Sequence, residues 1–204
     1  MNMVKNLIFD CGGVVFQIDY ELSYLEFKKL SRNPQLFDKL SVFDFKHIAS
    51  EYETGKQSTS EFLVDIRNKL DLQATDEQII SAWNAMLIGF VDNSVEIVRR
   101  LGDRFDIVLF SNTNELHYNS FKPVCDELLQ TFHKTYFSHQ IGQKKPNLES
   151  FKYVLDDNKF LPNETILIDD SIENIEAAKK LGIATIHYTS DWNLDKLANY
   201  LMNL

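Results

Sequence analysis

The chain has 204 residues, of which 44% are hydrophobic and 12% aromatic, so it can bury a sizeable core and is not a disordered polypeptide. Its 21 Lys and Arg residues against 30 Asp and Glu residues give a formal net charge of −9, which argues against nucleic acid and membrane surfaces as partners. The two cysteines, and the lack of any apolar stretch near the roughly 18 residues of a membrane span, favour a reducing, cytoplasmic location.

Three short apolar runs share one property, because each ends in a polar side chain that can take part in chemistry. The runs and their endings are residues 7–9 before Asp10, residues 107–110 before Ser111, and residues 166–168 before Asp169 and Asp170. Continuous apolar runs of this length predict strands that are buried on both faces of a parallel sheet. Since such sheets bind ligands at the carboxyl ends of their strands, we expect the polar endings to converge.

The long segment between the first and second runs has a different pattern. Residues 20–86 carry apolar side chains at helical spacing without a comparable strand run, and they are too many for one crossover connection. We therefore predict a helical insert. It divides the chain into a core of residues 1–17 and 90–204 and a cap of residues 18–89.

The remaining elements follow the usual helix signals, a capping residue at the start and a glycine at the end. We predict a strand over residues 184–188 and helices over residues 94–100 with Gly102 as the stop, 147–155, 172–181 with Ser171 as N-cap and Gly182 as the stop, and 194–201.

Four segments together resemble the four motifs of the haloacid dehalogenase (HAD) superfamily, in their order along the chain. They are residues 9–15 (Phe-Asp-Cys-Gly-Gly-Val-Val), 109–112 (Leu-Phe-Ser-Asn), 144–146 (Lys-Lys-Pro) and 168–171 (Ile-Asp-Asp-Ser). Each segment alone is a weak signal, but four in order, each at a predicted strand end or loop, make the resemblance specific. The resemblance extends over essentially the whole chain, in particular to HAD phosphatases that carry a helical cap.

This resemblance implies both a fold and an activity. The implied fold is α/β, with a Rossmann-like core whose central parallel sheet is flanked by helices, and with a helical C1-type cap inserted after the first strand. The implied activity is the hydrolysis of small phosphomonoesters through an aspartyl-phosphate, with Mg²⁺ as cofactor. The expected partner is therefore a small-molecule phosphate ester, and we expect the protein to be a monomer or a weak dimer.

The resemblance also implies roles for individual residues. Asp10 is the expected nucleophile, Ser111 is expected to donate a hydrogen bond to a phosphoryl oxygen, and Lys145 is expected to neutralise the phosphoryl charge and hold Asp10. Lys144 is the alternative to Lys145. Substrate contacts are expected from Ser111, Asn112 and Lys145.

The implied Mg²⁺ ligands are hard oxygen atoms, as this cation requires. They are the side chains of Asp10 and Asp170, the backbone carbonyl of Gly12, and Asp169 either directly or from behind the first layer of ligands.

Gly12 marks a departure from the usual pattern, because most HAD phosphatases have a second Asp two residues after the nucleophile. That Asp acts as general acid and base, a role worth about 10² to 10⁴ in rate. Its absence favours substrates whose leaving oxygen is already a tolerable anion, such as sugar 1-phosphates. Asp19 is a possible substitute, although a solvated loop carboxylate is the simpler interpretation.

Two other functions remain open at this stage. A metal-independent haloacid dehalogenase would use the same nucleophile without the second Asp, but the Asp169-Asp170 pair would repel an anionic halocarboxylate. A catalytically impaired phospho-ligand binding protein would also fit the missing acid, although binding alone does not require Asp10.

Several polar and aromatic residues carry weaker expectations. We expect Asn114, like Asn112, to lie near a bound phosphoryl or sugar group, and Asn174 either to orient the metal-binding loop or to be an ordinary polar residue of a helix surface. The histidines show no metal-binding spacing; they are His47, His117, His133, His139 and His187. The aromatic residues of the cap are expected to be core more often than ligand contacts; they are Tyr20, Tyr24, Phe45, Tyr52 and Trp83.

Overall fold

A computed structural model describes residues 3–40 and 48–204 of the chain. Phe45 and His47, named above, lie outside these residues. The strands are β1 (Asn6–Phe9), β2 (Phe16–Ile18), β3 (Leu87–Phe90), β4 (Asp106–Ser111), β5 (Lys134–Phe137), β6 (Thr165–Asp169) and β7 (Ala184–His187). The helices are α1 (Tyr20–Leu30), α2 (Thr59–Lys69), α3 (Asp76–Asn84), α4 (Ser94–Gly102), α5 (Glu115–Leu129), α6 (Ser138–Ile141), α7 (Leu148–Asn158), α8 (Ile172–Lys180) and α9 (Leu194–Met202).

Five of the strands form one parallel sheet in the order β5-β4-β1-β6-β7. The central strand β1 is buried throughout, as its unbroken apolar run predicts. Its register pairs Phe9 with Leu109 of β4 and with Ile168 of β6. The three polar endings therefore lie at the same edge of the sheet, and the predicted α/β fold is confirmed.

Helices cover both faces of this sheet. Leu7 and Phe9 of β1 point into a cluster with α4, α5 and α9, whereas Ile8 points into a cluster with α7 and α8. A third apolar cluster lies within the segment from Phe27 to Met86 and is built from its own helices. Among the described residues, no helix has the length and apolarity needed to cross a bilayer.

A short antiparallel ribbon connects the sheet to the helical segment. Strand β2 pairs with β3, and Asp19 N donates to Met86 O at 2.9 Å, so the chain leaves and re-enters the core at one place. This ribbon is absent from the sequence prediction. The predicted boundaries, after residue 17 and before residue 90, fall inside it, and the division into a core and a cap stays a prediction.

The helix ends differ from the sequence prediction in detail. Gly102 is the last residue of α4 and does not follow it. Ser171 is at the N-cap of α8, but its hydroxyl donates to Glu173 Oε2 at 2.7 Å and does not cap the helix. Helix α7 continues three residues past the predicted end, because Lys159 closes it in a left-handed conformation.

Candidate active site

The polar endings of β1, β4 and β6 form one buried group. Asp10 is 8% exposed, Ser111 4% and Asp169 fully buried, and Asp10 N donates to Ile168 O at 2.9 Å. Ser111 lines a recess together with Cys11 and Gly12, next to the expected nucleophile. The expected convergence of Asp10, Ser111 and Asp169 is therefore what the register produces.

Lys145 comes from the loop before α7 and lies in the middle of this group. Its side chain is 1% exposed, and its Nζ is 2.9 Å from Asp10 Oδ1 and 2.6 Å from Asp169 Oδ2. The ring of Phe110 lies below the ammonium, with its centroid 5.2 Å from Nζ. Lys145 is thus the lysine that reaches Asp10, as the resemblance implied.

The side chain of Asn112 holds the backbone at Lys145. Its Nδ2 donates to Lys145 O at 2.8 Å, and its Oδ1 accepts from Lys145 N at 2.9 Å. This pair of bonds fixes the loop that carries the lysine. Asn112 also lines the cavity above Asp10, so the expectation that it contacts the substrate stays a prediction.

Asp169 and Asp170 have different surroundings. Asp169 accepts hydrogen bonds from Asn174 Nδ2 at 2.9 and 3.1 Å and from Ser171 N at 2.9 Å, in addition to the bond from Lys145. Asn174 therefore orients this carboxylate. Of its two interpretations, the structure favours this one over an ordinary polar residue of a helix surface. Asp170 is the more solvent-accessible of the two.

These carboxylates have the donor set of a divalent-cation site. Asp10, Asp169 and Asp170 each offer one oxygen, and the three oxygens lie within 4.8 Å of one another. Gly13 has a φ of +77°, and a Cβ there would collide with Asp170 Oδ2, so only glycine lets the loop after β1 approach this carboxylate. Oxygen donors this close fit a hard cation such as Mg²⁺.

The electrostatics of the group favour a bound cation. Burial, opposed by the charge of Lys145 and reinforced by the charges of Asp169 and Asp170, raises the pKa of Asp10 to about 7. The pKa of Lys145 is raised, because Asp10 and Asp169 outweigh the burial that would lower it. Two carboxylates therefore share one lysine, and a further positive charge would stabilise Asp10 in its ionised form.

A cavity of about 430 Å³ opens above these residues. Its walls include Asp10, Lys144, Lys145 and Asp170 from the core, together with Tyr20, Ser50 and Glu53 from the cap. Glu53 lies in a 3₁₀ turn (Tyr52–Thr54), and its Oε2 is 2.8 Å from Lys144 Nζ. Burial, and then the charges of Glu53, Asp170 and Asp10, raise the pKa of Tyr20, so its phenol is a neutral hydrogen-bond donor at neutral pH.

A smaller recess of about 60 Å³ adjoins this cavity and is mainly apolar. Phe16, Ile18, Trp83, Met86 and Phe121 line it. Of the cap aromatic residues considered above, Tyr20 and Trp83 therefore face the site. Tyr52 stacks on Phe62 within the cap, with ring centroids 4.4 Å apart, and the hydroxyl of Tyr24 donates to Phe37 O.

The structure corrects the expectation for Asn114, and it gives no support to Asp19 as a substitute acid, which is the less simple interpretation of that residue. Asn114 is buried and caps α5, and its Oδ1 accepts from His117 N at 3.1 Å and from Trp83 Nε1 at 3.2 Å, so its side chain connects core to cap and does not contact a ligand. Asp19 caps α1 by accepting from Glu21 N at 2.9 Å, and it is not among the residues that line the cavity. The sequence around Asn114 does not reveal its distant partner Trp83.

Glu53 is a cavity residue that the local sequence pattern does not single out. It stands in the segment Ala-Ser-Glu-Tyr-Glu-Thr-Gly (residues 49–55), in which four other residues also carry acidic or hydroxyl side chains. The one local signal is Gly55, whose φ of +65° ends the turn and fixes the direction of Glu53. Its partner, Lys144, is 91 residues away along the chain.

Comparisons with known proteins agree with this geometry. Residues 38–188 match the family model described as haloacid dehalogenase-like hydrolase. The D-ribitol-5-phosphate phosphatase of Bacteroides thetaiotaomicron is 30% identical, over 93% of this chain and 95% of that protein.

Solved structures give the same result. A HAD family enzyme of Bacteroides thetaiotaomicron, in complex with magnesium and inorganic phosphate, is 32% identical with a TM-score of 0.81, over 95% of this chain and 98% of that one. A HAD-like family hydrolase of Porphyromonas gingivalis is 26% identical with a TM-score of 0.84, over 99% of each chain.

Proposed function

Because the chain belongs to the haloacid dehalogenase-like hydrolase family and is a phosphatase of that family, we propose that it hydrolyses small sugar or polyol phosphates in a Mg²⁺-dependent reaction through an aspartyl-phosphate at Asp10. The single observation that carries the proposal is the contact of a buried lysine with the expected nucleophile. Lys145 Nζ lies 2.9 Å from Asp10 Oδ1, at the end of the central strand.

The chemistry assigned to these residues is a double displacement. An oxygen of Asp10 attacks phosphorus, the bond from phosphorus to the leaving oxygen breaks, and the departing alkoxide takes a proton from water. A water molecule then attacks the phosphorus of the aspartyl-phosphate and releases inorganic phosphate and the free carboxylate. Lys145 keeps Asp10 in place and, with Ser111, balances charge on the phosphoryl oxygens.

The proposed Mg²⁺ site uses Asp10, Asp170 and the carbonyl of Gly12. Asp169 is already bonded to Lys145, Asn174 and Ser171, so we assign it the role of holding the lysine behind the metal ligands. When bound, Mg²⁺ would neutralise the charge of the carboxylates and of the incoming phosphoryl group. Support comes from the similar HAD enzyme solved with magnesium and phosphate.

The substrate class rests on the walls of the cavity and on one relative. The cavity carries hydroxyl, carboxylate and ammonium groups, which suit a hydroxylated leaving group. The relative named D-ribitol-5-phosphate phosphatase acts on a polyol phosphate. Sugar 1-phosphates belong to the same proposal, because their leaving oxygen is acidic enough to depart without a general acid at Gly12.

The test is phosphate release by wild type and Asp10→Asn over a panel of sugar phosphates, pentitol phosphates and p-nitrophenyl phosphate, with Mg²⁺ or with a chelator. We expect Mg²⁺-dependent release from wild type and a loss of at least about 10³-fold in Asp10→Asn, as for removal of a nucleophile. Acid-quenched wild type should carry one phosphoryl group on the peptide that contains Asp10.

Three results would contradict the proposal. Hydrolysis that survives in Asp10→Asn would exclude this nucleophile. Halide release from a 2-haloacid that persists in the chelator would indicate a dehalogenase. Tight binding of phosphate with every ester left intact would indicate a phospho-ligand binding protein.

A further inference from the structure

The ion pair between Glu53 and Lys144 is more buried than most ion pairs of the described residues. The two side chains are 20% and 21% exposed. Apart from the two pairs of Lys145, every other ion pair among the described residues has at least one side chain more exposed than this. The pair therefore lies in the wall of the cavity and is not an ordinary surface contact.

The charge of Glu53 is balanced, but its hydrogen-bonding capacity is not exhausted. Lys144 bonds to Oε2 at 2.8 Å, and within residues 3–40 and 48–204 Glu53 Oε1 has no hydrogen-bond partner. A carboxylate oxygen in a partly buried wall is a strong acceptor, and an unpartnered one is best satisfied by a hydroxyl donor of a ligand. The phenol of Tyr20 lines the same cavity and adds a donor near this acceptor.

The backbone holds Glu53 in this wall. Glu53 N donates to Ala49 O at 2.8 Å, and Gly55 ends the turn so close to the backbone of His139 that a Cβ would collide with its carbonyl oxygen. The 3₁₀ turn of the cap is thus docked against α6 of the core. Glu53 is therefore presented to the cavity by a fixed main chain.

From this geometry we infer that Glu53 is a specificity-determining residue, which accepts hydrogen bonds from the hydroxyl groups of a polyhydroxylated leaving group. This inference rests on the proposed phosphatase function and adds the residue that recognises the leaving group. Lys144 holds the carboxylate in place and offsets its charge, so the incoming phosphate is not repelled.

The same residue selects against other leaving groups. A second phosphate or a carboxylate on the substrate is an acceptor and not a donor at neutral pH, so it would leave Glu53 Oε1 without a hydrogen-bond partner. A long apolar leaving group would leave the carboxylate without a donor, and the adjoining apolar recess of about 60 Å³ holds only a small fragment. Small neutral polyols and sugars fit both constraints.

The experiment compares Glu53→Gln with Glu164→Gln, since Glu164 forms an ion pair with Lys5 that lies outside the cavity. Both variants are assayed in parallel on a pentitol phosphate and on p-nitrophenyl phosphate, which has no hydroxyl groups. We expect Glu53→Gln to lower kcat/KM for the pentitol phosphate by about 10- to 100-fold, the effect of losing a charged hydrogen bond. The aryl phosphate should change by less than about twofold, and Glu164→Gln should change neither.

A deoxygenated pentitol phosphate adds a second readout. If Glu53 binds the missing hydroxyl, wild type should lose activity on the deoxy substrate, and Glu53→Gln should lose little more. Equal losses on the pentitol and aryl phosphates, no loss on either, or a wild type that hydrolyses the aryl phosphate but no polyol phosphate would each overturn the inference. Aryl phosphate hydrolysis that requires Asp10 would still support the proposed function in all three cases, so the two failures are distinguishable.

Discussion

The two lysines of the Lys-Lys-Pro segment are neighbours in sequence and serve different parts of the molecule. Lys145 is buried between Asp10 and Asp169, whereas Lys144 pairs with Glu53 of the cap. A buried ammonium is tolerated only when it is paired, and the cluster supplies more carboxylates than lysines. This residual negative charge is the physical reason to expect a cation at the site.

Gly12 can be tested by restoring the missing general acid. A Cβ on Gly12 would lie 3.0 Å from Ile18 Cδ1, so the space for an Asp is partly filled by this side chain. We predict that Gly12→Asp combined with Ile18→Val raises kcat on alkyl phosphates. The gain should be a part of the factor of about 10² to 10⁴ in rate that general acid–base catalysis provides. Gly12→Asp alone should gain less, because the carboxyl must displace Ile18.

The control for this prediction is a substrate whose leaving group needs no proton. p-Nitrophenolate departs without a proton, so its phosphate ester should gain nothing from the double variant. The measurement is kcat over a series of esters of increasing leaving-group pKa in wild type and both variants. A wild-type kcat that is already insensitive to leaving-group pKa would show that another residue supplies the proton.

Sequence reasoning located the residues whose position depends on strand register. Asp10, Ser111 and Asp169 each follow an apolar run, and parallel pairing alone brings them together. It did not reveal the partners of Asn112 and Asn114, because a local pattern does not show the distant backbone or side chain to which an amide is bonded.

At the scale of elements, unbroken apolar runs were sufficient to predict the buried strands. Strand β5 is absent from the prediction because it is short, lies at the edge of the sheet and exposes Lys134. Strands β2 and β3 are absent from the prediction because residue 16 pairs with residue 90, at the far end of the cap segment. The side chains of β3 also alternate between half-buried and exposed. Pairing at such separation depends on tertiary structure and leaves little trace in the local pattern.

The docking of the cap turn on α6 depends on Gly55, and Gly142 offers a matched comparison. Both residues have positive φ, +65° and +73°, but a Cβ on Gly55 would meet the carbonyl of His139, whereas one on Gly142 would meet nothing within 4 Å. We predict that Gly142→Ala lowers the free energy of unfolding by about 1 kcal/mol, the cost of the backbone conformation alone. Gly55→Ala should lower it by at least about 1 kcal/mol more.

Denaturant unfolding of the two variants measures this difference. Since the turn carries Glu53, Gly55→Ala should also weaken hydrolysis of a polyol phosphate, while Gly142→Ala should retain the wild-type ratio of polyol to aryl hydrolysis. Equal stability losses in the two variants would show that the turn moves away from α6 without penalty.

Over the whole molecule, the first turn of α5 joins the core to the cap. Leu116 N donates to Tyr52 Oη at 3.1 Å, and the ring of His117 stacks on Trp83 with centroids 4.8 Å apart. The His117 ring nitrogens lie 3.1 Å from Trp83 O and 3.1 Å from Asn114 Nδ2. The segment after strand β4 and the helix α3 are thus connected through a few buried polar bonds, so we expect core and cap to unfold together.

This joint makes the stability of the whole protein sensitive to acid. Burial lowers the pKa of His117 from 6.5 to about 4, so between these values the unfolded chain binds more protons than the folded one. The contribution of His117 to the free energy of unfolding should therefore fall as pH drops from 6.5 toward 4, by up to about 3 kcal/mol, whereas the raised pKa of Asp10 acts in the opposite direction. In His117→Gln the free energy of unfolding should depend less steeply on pH, by the equivalent of up to one bound proton. Urea unfolding at several pH values measures this slope.

The control is Phe121→Leu on the same helix, which removes buried area without removing a titratable group. It should lower the free energy of unfolding equally at every pH. If His117→Gln also lowered it equally at every pH, the acid sensitivity would come from other residues.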